Sequence, residues 1–417
     1  MGAMRRCSRL LLIALLLPAA AVLISPASAE DAPTTTAAKP AIDAERLMAH
    51  VRWMAAPERK GRGAWPDREA TAAYIAKAFA EAGLKVLPGR KDMFQDKAGL
   101  KEPALRNVVA WLPPPPEAKG EYVILSSHYD HLGQKVTVIK DGETETRVSM
   151  TFAGADDNAS GVAVLLEIAR VLGAKHKADP TALGRGVVFV AFDLEEQNLI
   201  GSQDYVKRTP LPLDGCAAFL TMDMLGRSLA DLIPGSLFVM GTENSAALDA
   251  LVRKQPEPTD GERIILGIDF QPGYSDYVPF KDAKIPYIFL TSGACADYHR
   301  ATDVVARIQP EHLVARTTWV RRLVSELLEL EQRPTWRGGA EPSVEEVKIL
   351  QKTLTVVAKK LPDIPGIPPQ AEPMVKNFLK FIEGVLADGA VTEQERRSVR
   401  NTTLMLFRFA QSAGGGR

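Results

Sequence analysis

Five short segments hold most of the side chains able to do chemistry: His128-Tyr129-Asp130-His131, Gly154-Ala155-Asp156-Asp157-Asn158, Asp193-Leu194-Glu195-Glu196, Thr221-Met222-Asp223-Met224 and Tyr298-His299-Arg300. Each follows an apolar run that reads as a buried strand, or lies in a loop near one, so the polar groups would meet at one edge of a sheet. Two histidines and several carboxylates gathered there suffice for two four- or five-coordinate zinc ions that share one carboxylate. Mixed imidazole and carboxylate ligation suits zinc better than magnesium or calcium, which prefer oxygen alone. The implied chemistry is metal-assisted hydrolysis.

Taken singly, each motif also has a plain structural reading. Alternation along extended chain points His128 and Asp130 the same way, so the carboxylate can orient the imidazole, although a His-x-Asp at a strand end is often a surface pair. The acids of Asp156-Asp157-Asn158 could simply favour the start of the helix that follows, with Asn158 or Ser160 as its cap. The glycine-flanked turn asks for more than a cap. Glu195 and Glu196 are adjacent like charges at the end of the run Val187 to Phe192, where one can bind metal while the other takes a proton. Asp223 ends the run Ala217 to Met222, where an unpaired carboxylate would be costly. Of the other histidines, His50, His176 and His312 read as surface residues, and His131 as at most an orienting neighbour of a ligand.

The elements that would position these residues follow from hydrophobic period. Strand-like runs cover residues 107–112, 122–126, 187–192, 217–222, 237–240 and 287–290. Helical patterns cover 42–55, 68–82, 160–172, 246–254 and 310–330. Continuous apolar strands alternating with amphipathic helices imply an α/β fold with a mixed, largely parallel central sheet and helices on both faces. Residues 134–150 interrupt it, with a hairpin expected around Asp141-Gly142, and Gly61-Arg62-Gly63 reads as a chain reversal. After a linker at 334–342 the character changes to a small all-α appendage over 343–417, with helices expected at 344–361 and 373–387. A last helix starts at Thr392, capped reciprocally with Glu395. The preceding Asp388-Gly389 lacks the earlier oxygen ligands of a calcium loop.

At the N-terminus, Arg5, Arg6 and Arg9 precede the apolar run Leu10 to Ile24 and Ala27-Ser28-Ala29, the order of a secretory signal peptide over residues 1–29. Residues 30–41 form a polar leader, and an uncleaved anchor is the alternative. The expectation is an exported, periplasmic or extracellular protein with no membrane span in the mature chain. The precursor balances 51 basic against 51 acidic residues, so losing three arginines leaves a mildly acidic chain that is no partner for nucleic acid. An oxidising compartment would allow Cys216 and Cys295 to pair.

In combination the motifs resemble the M28 zinc peptidases, a family that includes secreted bacterial aminopeptidases. The resemblance rests on His-x-Asp, Gly-Ala-Asp-Asp-Asn-Ala-Ser-Gly, Glu-Glu followed by Gly201-Ser202, Met-Asp-Met-Leu-Gly-Arg, Ser275-Asp276 and Tyr-His, together with Gly61-Arg62-Gly63 upstream. It spans residues 42 to 330 and implies a catalytic domain over 42–333. It further implies one zinc held by His128, Asp156 and Asp223 and a second by Asp156, Glu196 and His299, with Asp156 as the bridge. Glu195 would be the general base acting on a metal-bridging water, Asp130 would orient His128, and a cis peptide would join Asp156 to Asp157. The substrate implied is the N-terminus of a peptide. The alternatives are a single-zinc acyltransferase of the glutaminyl cyclase kind and a binding ectodomain without catalysis. Tyr274 and Tyr277 flank Ser275-Asp276 at an unexpected spacing, so a tyrosine that stabilises the oxyanion is not assigned.

Overall fold

The computed structural model describes residues 42–98, 103–141, 144–363 and 368–414. The expected signal peptide and leader lie outside these residues, as does the tip of the 134–150 hairpin. No helix among the described residues is long and apolar enough to cross a membrane.

The described residues open with α1 (Ala44–Met54) and α2 (Trp65–Glu81), followed by β1 (Phe94–Ala98), β2 (Pro103–Leu112) and β3 (Tyr122–His128). A two-stranded ribbon, β4 (Gly133–Asp141) with β5 (Thr144–Phe152), precedes α3 (Gly161–Ala178), β6 (Gly186–Phe192), α4 (Ile200–Arg208) and β7 (Cys216–Met222). Next come β8 (Leu237–Met240), α5 (Ala246–Lys254), β9 (Arg263–Leu266), α6 (Tyr277–Asp282), β10 (Tyr287–Thr291) and α7 (Pro310–Leu328). The eight-stranded sheet runs β1-β2-β6-β3-β7-β10-β8-β9. Its centre, β6-β3-β7-β10, is parallel, while β1, β2 and the β10–β8 pairing are antiparallel.

Why the strands read as unbroken apolar runs is visible in β6. Val187, Phe189 and Ala191 join one core, whereas Val188, Val190 and Phe192 join the other on the opposite face. Successive side chains leave a strand on alternate faces, so a sheet covered on both sides needs every position apolar. The first core takes α1, α2, α3, α5 and α7; the second takes α4 and α6. With so few polar side chains inside these strands, the chemistry is pushed to the strand ends.

The second core also takes the C-terminal helices α8 (Val344–Lys360), α9 (Ala371–Leu386) and α10 (Glu393–Gly414). Val347, Leu350, Phe378, Ile382, Val385 and Val399 close over Ile264, Leu266 and Phe270, burying the edge where β9 ends the sheet. Thr392 and Glu395 cap α10 reciprocally: the Thr392 N–H donates to Glu395 Oε2 at 2.8 Å and the Glu395 N–H to Thr392 Oγ1 at 3.2 Å. At the junction Arg396 donates to Asp269 at 2.7 and 2.9 Å and to Glu346 at 2.7 and 3.1 Å. Arg396→Met is therefore expected to lower stability by about 3 kcal/mol, because it leaves the nearly buried Glu346 carboxylate without its cation and Asp269 with Arg400 alone. Urea unfolding followed by circular dichroism measures this, and an unshifted midpoint would show that the helices do not depend on that cation.

Three expectations are corrected here. His312 is not a surface residue: it is buried on α7 with Nδ1 2.5 Å from Asp260 Oδ2. His176 is buried as well. Each lies on an amphipathic helix at a position facing neighbouring chain, which a lone polar letter does not reveal. Cys216 and Cys295 are both buried and unpaired.

Candidate metal centre

Register brings the functional segments together. His128, the last residue of β3, is level with Phe192 of β6; Ser126 is level with Thr221 of β7, and Met222 with Leu290 of β10. The carboxyl ends of these four parallel strands therefore form one edge, where ligands of open α/β sheets bind. The loops leaving that edge carry Asp130 and His131, Glu195 and Glu196, Asp223, and His299.

Two half-sites meet there. In the first, His128 Nε2 lies 3.3 Å from Asp223 Oδ1 and 3.4 Å from Asp157 Oδ1. In the second, His299 Nε2 lies 3.2 Å from Asp157 Oδ2 and 3.1 Å from Glu196 Oε2. Zinc bonds of about 2.0–2.1 Å at tetrahedral angles put neighbouring ligand atoms roughly 3.3 Å apart. All four separations match that edge, so the donors are spaced as zinc ligands are, and the two Asp157 oxygens face different histidines. Asp223 is further held by Ser275 Oγ, which donates to its other oxygen at 3.0 Å.

Asp130 makes contacts beyond the one to His128. Its carboxylate lies 3.7 Å from His128 Nδ1 and also accepts the backbone N–H groups of Glu195 at 3.0 Å and Glu196 at 3.3 Å. One side chain thus links the His128 loop to the Glu195-Glu196 turn. Glu195 projects beside His128 and Asp223, and these three residues also offer ligand atoms within 4.8 Å of one another. Asp193, the first acid of that segment, is turned away, holding Arg68 Nε at 2.9 Å and the Arg106 N–H at 2.9 Å. Gly201 permits this turn, since a Cβ there would lie 2.0 Å from the Asp193 carbonyl oxygen.

The residue facing the centre from the acidic turn is Asp157, not Asp156. Gly154, at φ +60°, starts the turn, and the Asp303 carboxylate pins it by accepting the N–H groups of Asp156 at 2.9 Å and Asp157 at 3.1 Å. With both amides fixed, the two side chains diverge. Asp156 Oδ1 accepts from the Gly226 N–H at 2.7 Å and from Ser160 Oγ at 3.1 Å, behind the site. The cis peptide likewise joins Asp157 to Asn158 rather than Asp156 to Asp157. Asn158 fastens the turn to the sheet, donating to Ser127 Oγ and the Met222 carbonyl while accepting from the Gly161 N–H, which caps α3.

Charge at the site follows the same division. Burial opposes ionisation of Asp157, but hydrogen bonds to His128 and His299 and the nearby His131 outweigh it and hold its carboxyl well below the ordinary value. Burial pushes Asp156 the other way, to about 7, with Asp303 adding to the effect. Burial resists charging of His299, yet Asp157 and Glu196 draw its pKa up to about 10. Glu195 is lifted well above the usual carboxylate range by burial, with His128 opposing and Asp223, Asp276 and Glu196 reinforcing. The cluster is a well of negative potential, suited to cations.

Several supporting residues escaped the sequence reading. Arg62 is not part of a plain chain reversal: it is fully buried and donates to the carbonyls of Met54, Tyr129, Ala153 and Gly154 at 2.7–2.8 Å, clamping both the His128 loop and the acidic turn. Its flanking glycines were the available signal, since a Cβ at Gly61 would lie 2.1 Å from the Phe152 carbonyl oxygen. Asp303, four residues after His299, had no such marker. Tyr274 is 80% exposed, whereas Tyr277 is buried and stacked on Tyr287, and Tyr298 stacks on His299 with ring centroids 3.9 Å apart.

Against known proteins, the model of peptidase family M28 matches residues 107–324. Aminopeptidase YwaD of Bacillus subtilis is 28% identical over 266 residues, 61% of this chain and 49% of that protein. Probable lipoprotein aminopeptidase LpqL of Mycobacterium tuberculosis is 36% identical over 157 residues, 34% of this chain and 29% of that protein. The chain thus spans about half the length, or less, of these curated relatives. Among solved structures, the LapA aminopeptidase of Legionella pneumophila superposes with a TM-score of 0.52 at 21% identity, covering 70% of this chain and 71% of that one. BSAP, a zinc aminopeptidase from Bacillus subtilis, gives 0.52 at 16%, covering 71% and 98%. At such identities the likeness is one of fold.

Proposed function

The chain belongs to peptidase family M28, and from that premise we propose that it is an exported dizinc aminopeptidase, removing N-terminal residues from peptides with Glu195 as general base. The observation that carries this reading is the Asp157 carboxylate, whose two oxygens each stand at ligand spacing from a different histidine. His128, Asp223 and Asp157 would hold one cation; His299, Glu196 and Asp157 would hold the other. Zinc bound there supplies Lewis acidity, polarising the scissile carbonyl and making a water easier to deprotonate.

The protein's own groups do the rest. A Glu195 carboxylate oxygen takes the proton of the attacking water and delivers it to the leaving amine nitrogen. Asp130 keeps that carboxylate in place through the Glu195 N–H. A free α-amine lying against the second half-site, beside His299 and Glu196, would leave the bond after the first residue as the one presented for hydrolysis.

Incubation with o-phenanthroline followed by gel filtration is expected to abolish release of amino acids from a panel of aminoacyl amides, and zinc is expected to restore it. Activity that survives removal of metal would defeat the proposal. Cyclisation of an N-terminal glutamine by a chain holding one zinc would point instead to the acyltransferase chemistry of a glutaminyl cyclase.

A further inference from the structure

His131 stands inside the second half-site without belonging to its ligand set as assigned above. It is 2% exposed, and its Nδ1 lies 2.7 Å from Glu196 Oε1 and 3.8 Å from Asp157 Oδ2. The ring fills the space above Gly154, where a Cβ would come within 2.5 Å of its Cδ2. Its other nitrogen, Nε2, is buried and meets no hydrogen-bond partner among the described residues.

Two roles compete for this ring: a further ligand of the second cation, or a donor to Glu196. Three facts decide between them. First, 2.7 Å is a hydrogen-bond distance, shorter than the roughly 3.3 Å that separates two atoms on one tetrahedral zinc. Second, a ligating imidazole almost always donates its other N–H to a carboxylate, carbonyl or water. If Nδ1 bound metal, Nε2 would carry a buried N–H with nothing to accept it. A bare acceptor lone pair is the better tolerated orphan. Third, Glu196 Oε2, not Oε1, is the oxygen at ligand spacing from His299 Nε2.

We propose that His131, protonated at Nδ1, is a positioning residue that donates to Glu196 Oε1 and leaves Oε2 as the one oxygen offered to the second cation. The inference rests on the dinuclear reading and adds to it a means of fixing the denticity of Glu196. Without that donor the carboxylate is free to turn or to chelate through both oxygens. The first half-site is reached only through Asp157, whose Oδ2 lies 3.8 Å from His131 Nδ1; His128, Asp223 and Asp157 Oδ1 keep their places.

The test is cobalt titration of the metal-free full chain, read by visible absorption and by metal content. His131→Phe keeps the ring volume and removes the donor, while His131→Asn places an amide N–H near the former Nδ1; His131→Leu replaces the Phe variant if that ring is not accommodated. In the Phe or Leu variant, affinity for the second ion is expected to fall about 10–100-fold, with the first unchanged. The Asn variant is expected to stay close to the wild type, and the second-ion band of the donorless variant to weaken as coordination number rises. Unchanged second-site affinity in the donorless variant, or an Asn variant as weak as it, would overturn the assignment. A wild-type chain that takes up one ion at saturation would instead defeat the dinuclear reading beneath it.

Discussion

Glu195→Gln is expected to leave both cations bound while lowering kcat by about 10²–10⁴-fold, the usual contribution of a positioned general base. The amide keeps the shape of the side chain, and the backbone N–H that Asp130 accepts at 3.0 Å is untouched, so the turn should hold. What is lost is the ability to take a proton. The readouts are zinc content by elemental analysis and steady-state hydrolysis of an aminoacyl amide. Because Glu195 also lies within ligand reach of His128 and Asp223, the experiment separates two roles. A variant that loses one zinc would make Glu195 a ligand, and one that retains activity would remove it from the proton transfer.

The second large effect is expected at the acidic turn. Asp157→Ala removes the carboxylate shared by both half-sites, so zinc content should fall below one per chain and activity by about 10³-fold or more. Asp156→Asn should behave quite differently. It retains an oxygen able to accept from the Gly226 N–H and Ser160 Oγ, and that residue stands behind the centre rather than in it. Its zinc content should match the wild type. The reverse pattern, with Asp156 needed for metal and Asp157 dispensable, would contradict the arrangement of the turn.

That pair of adjacent aspartates marks where the sequence stopped being legible. The segment could be recognised as a site from its glycines and acids, but which carboxylate faces inward depends on how Asp303, 147 positions from Asp156, pins both amides. Nothing in the local letters encodes that contact. By contrast, β8 and α5 are found at the residues their hydrophobic patterns indicate, and the β3, β6 and β7 cores are found with one to two extra residues at their ends. Those runs are apolar on both faces, and burial alone determines them.

Elements that escaped notice share a different property. β1, Phe-Gln-Asp-Lys-Ala, is a polar edge strand, and β9 has only four residues, so neither offers a period long enough to read. The helix α4 begins Ile-Gly-Ser, with a glycine in its first turn that local propensity disfavours, and Gly201 packs closely against the Asp193 carbonyl oxygen. Arg62 was misjudged for a related reason. A lone charged letter in a loop looks solvated, whereas this side chain is enclosed by segments brought from far along the chain.

The most direct test is anomalous diffraction at the zinc edge from crystals of the zinc-loaded protein. Two peaks about 3.5–4 Å apart are expected, one beside His128 and Asp223 and the other beside His299 and Glu196, with an oxygen of Asp157 at each. A single peak, or a pair flanking Asp156, would contradict a centre bridged by Asp157.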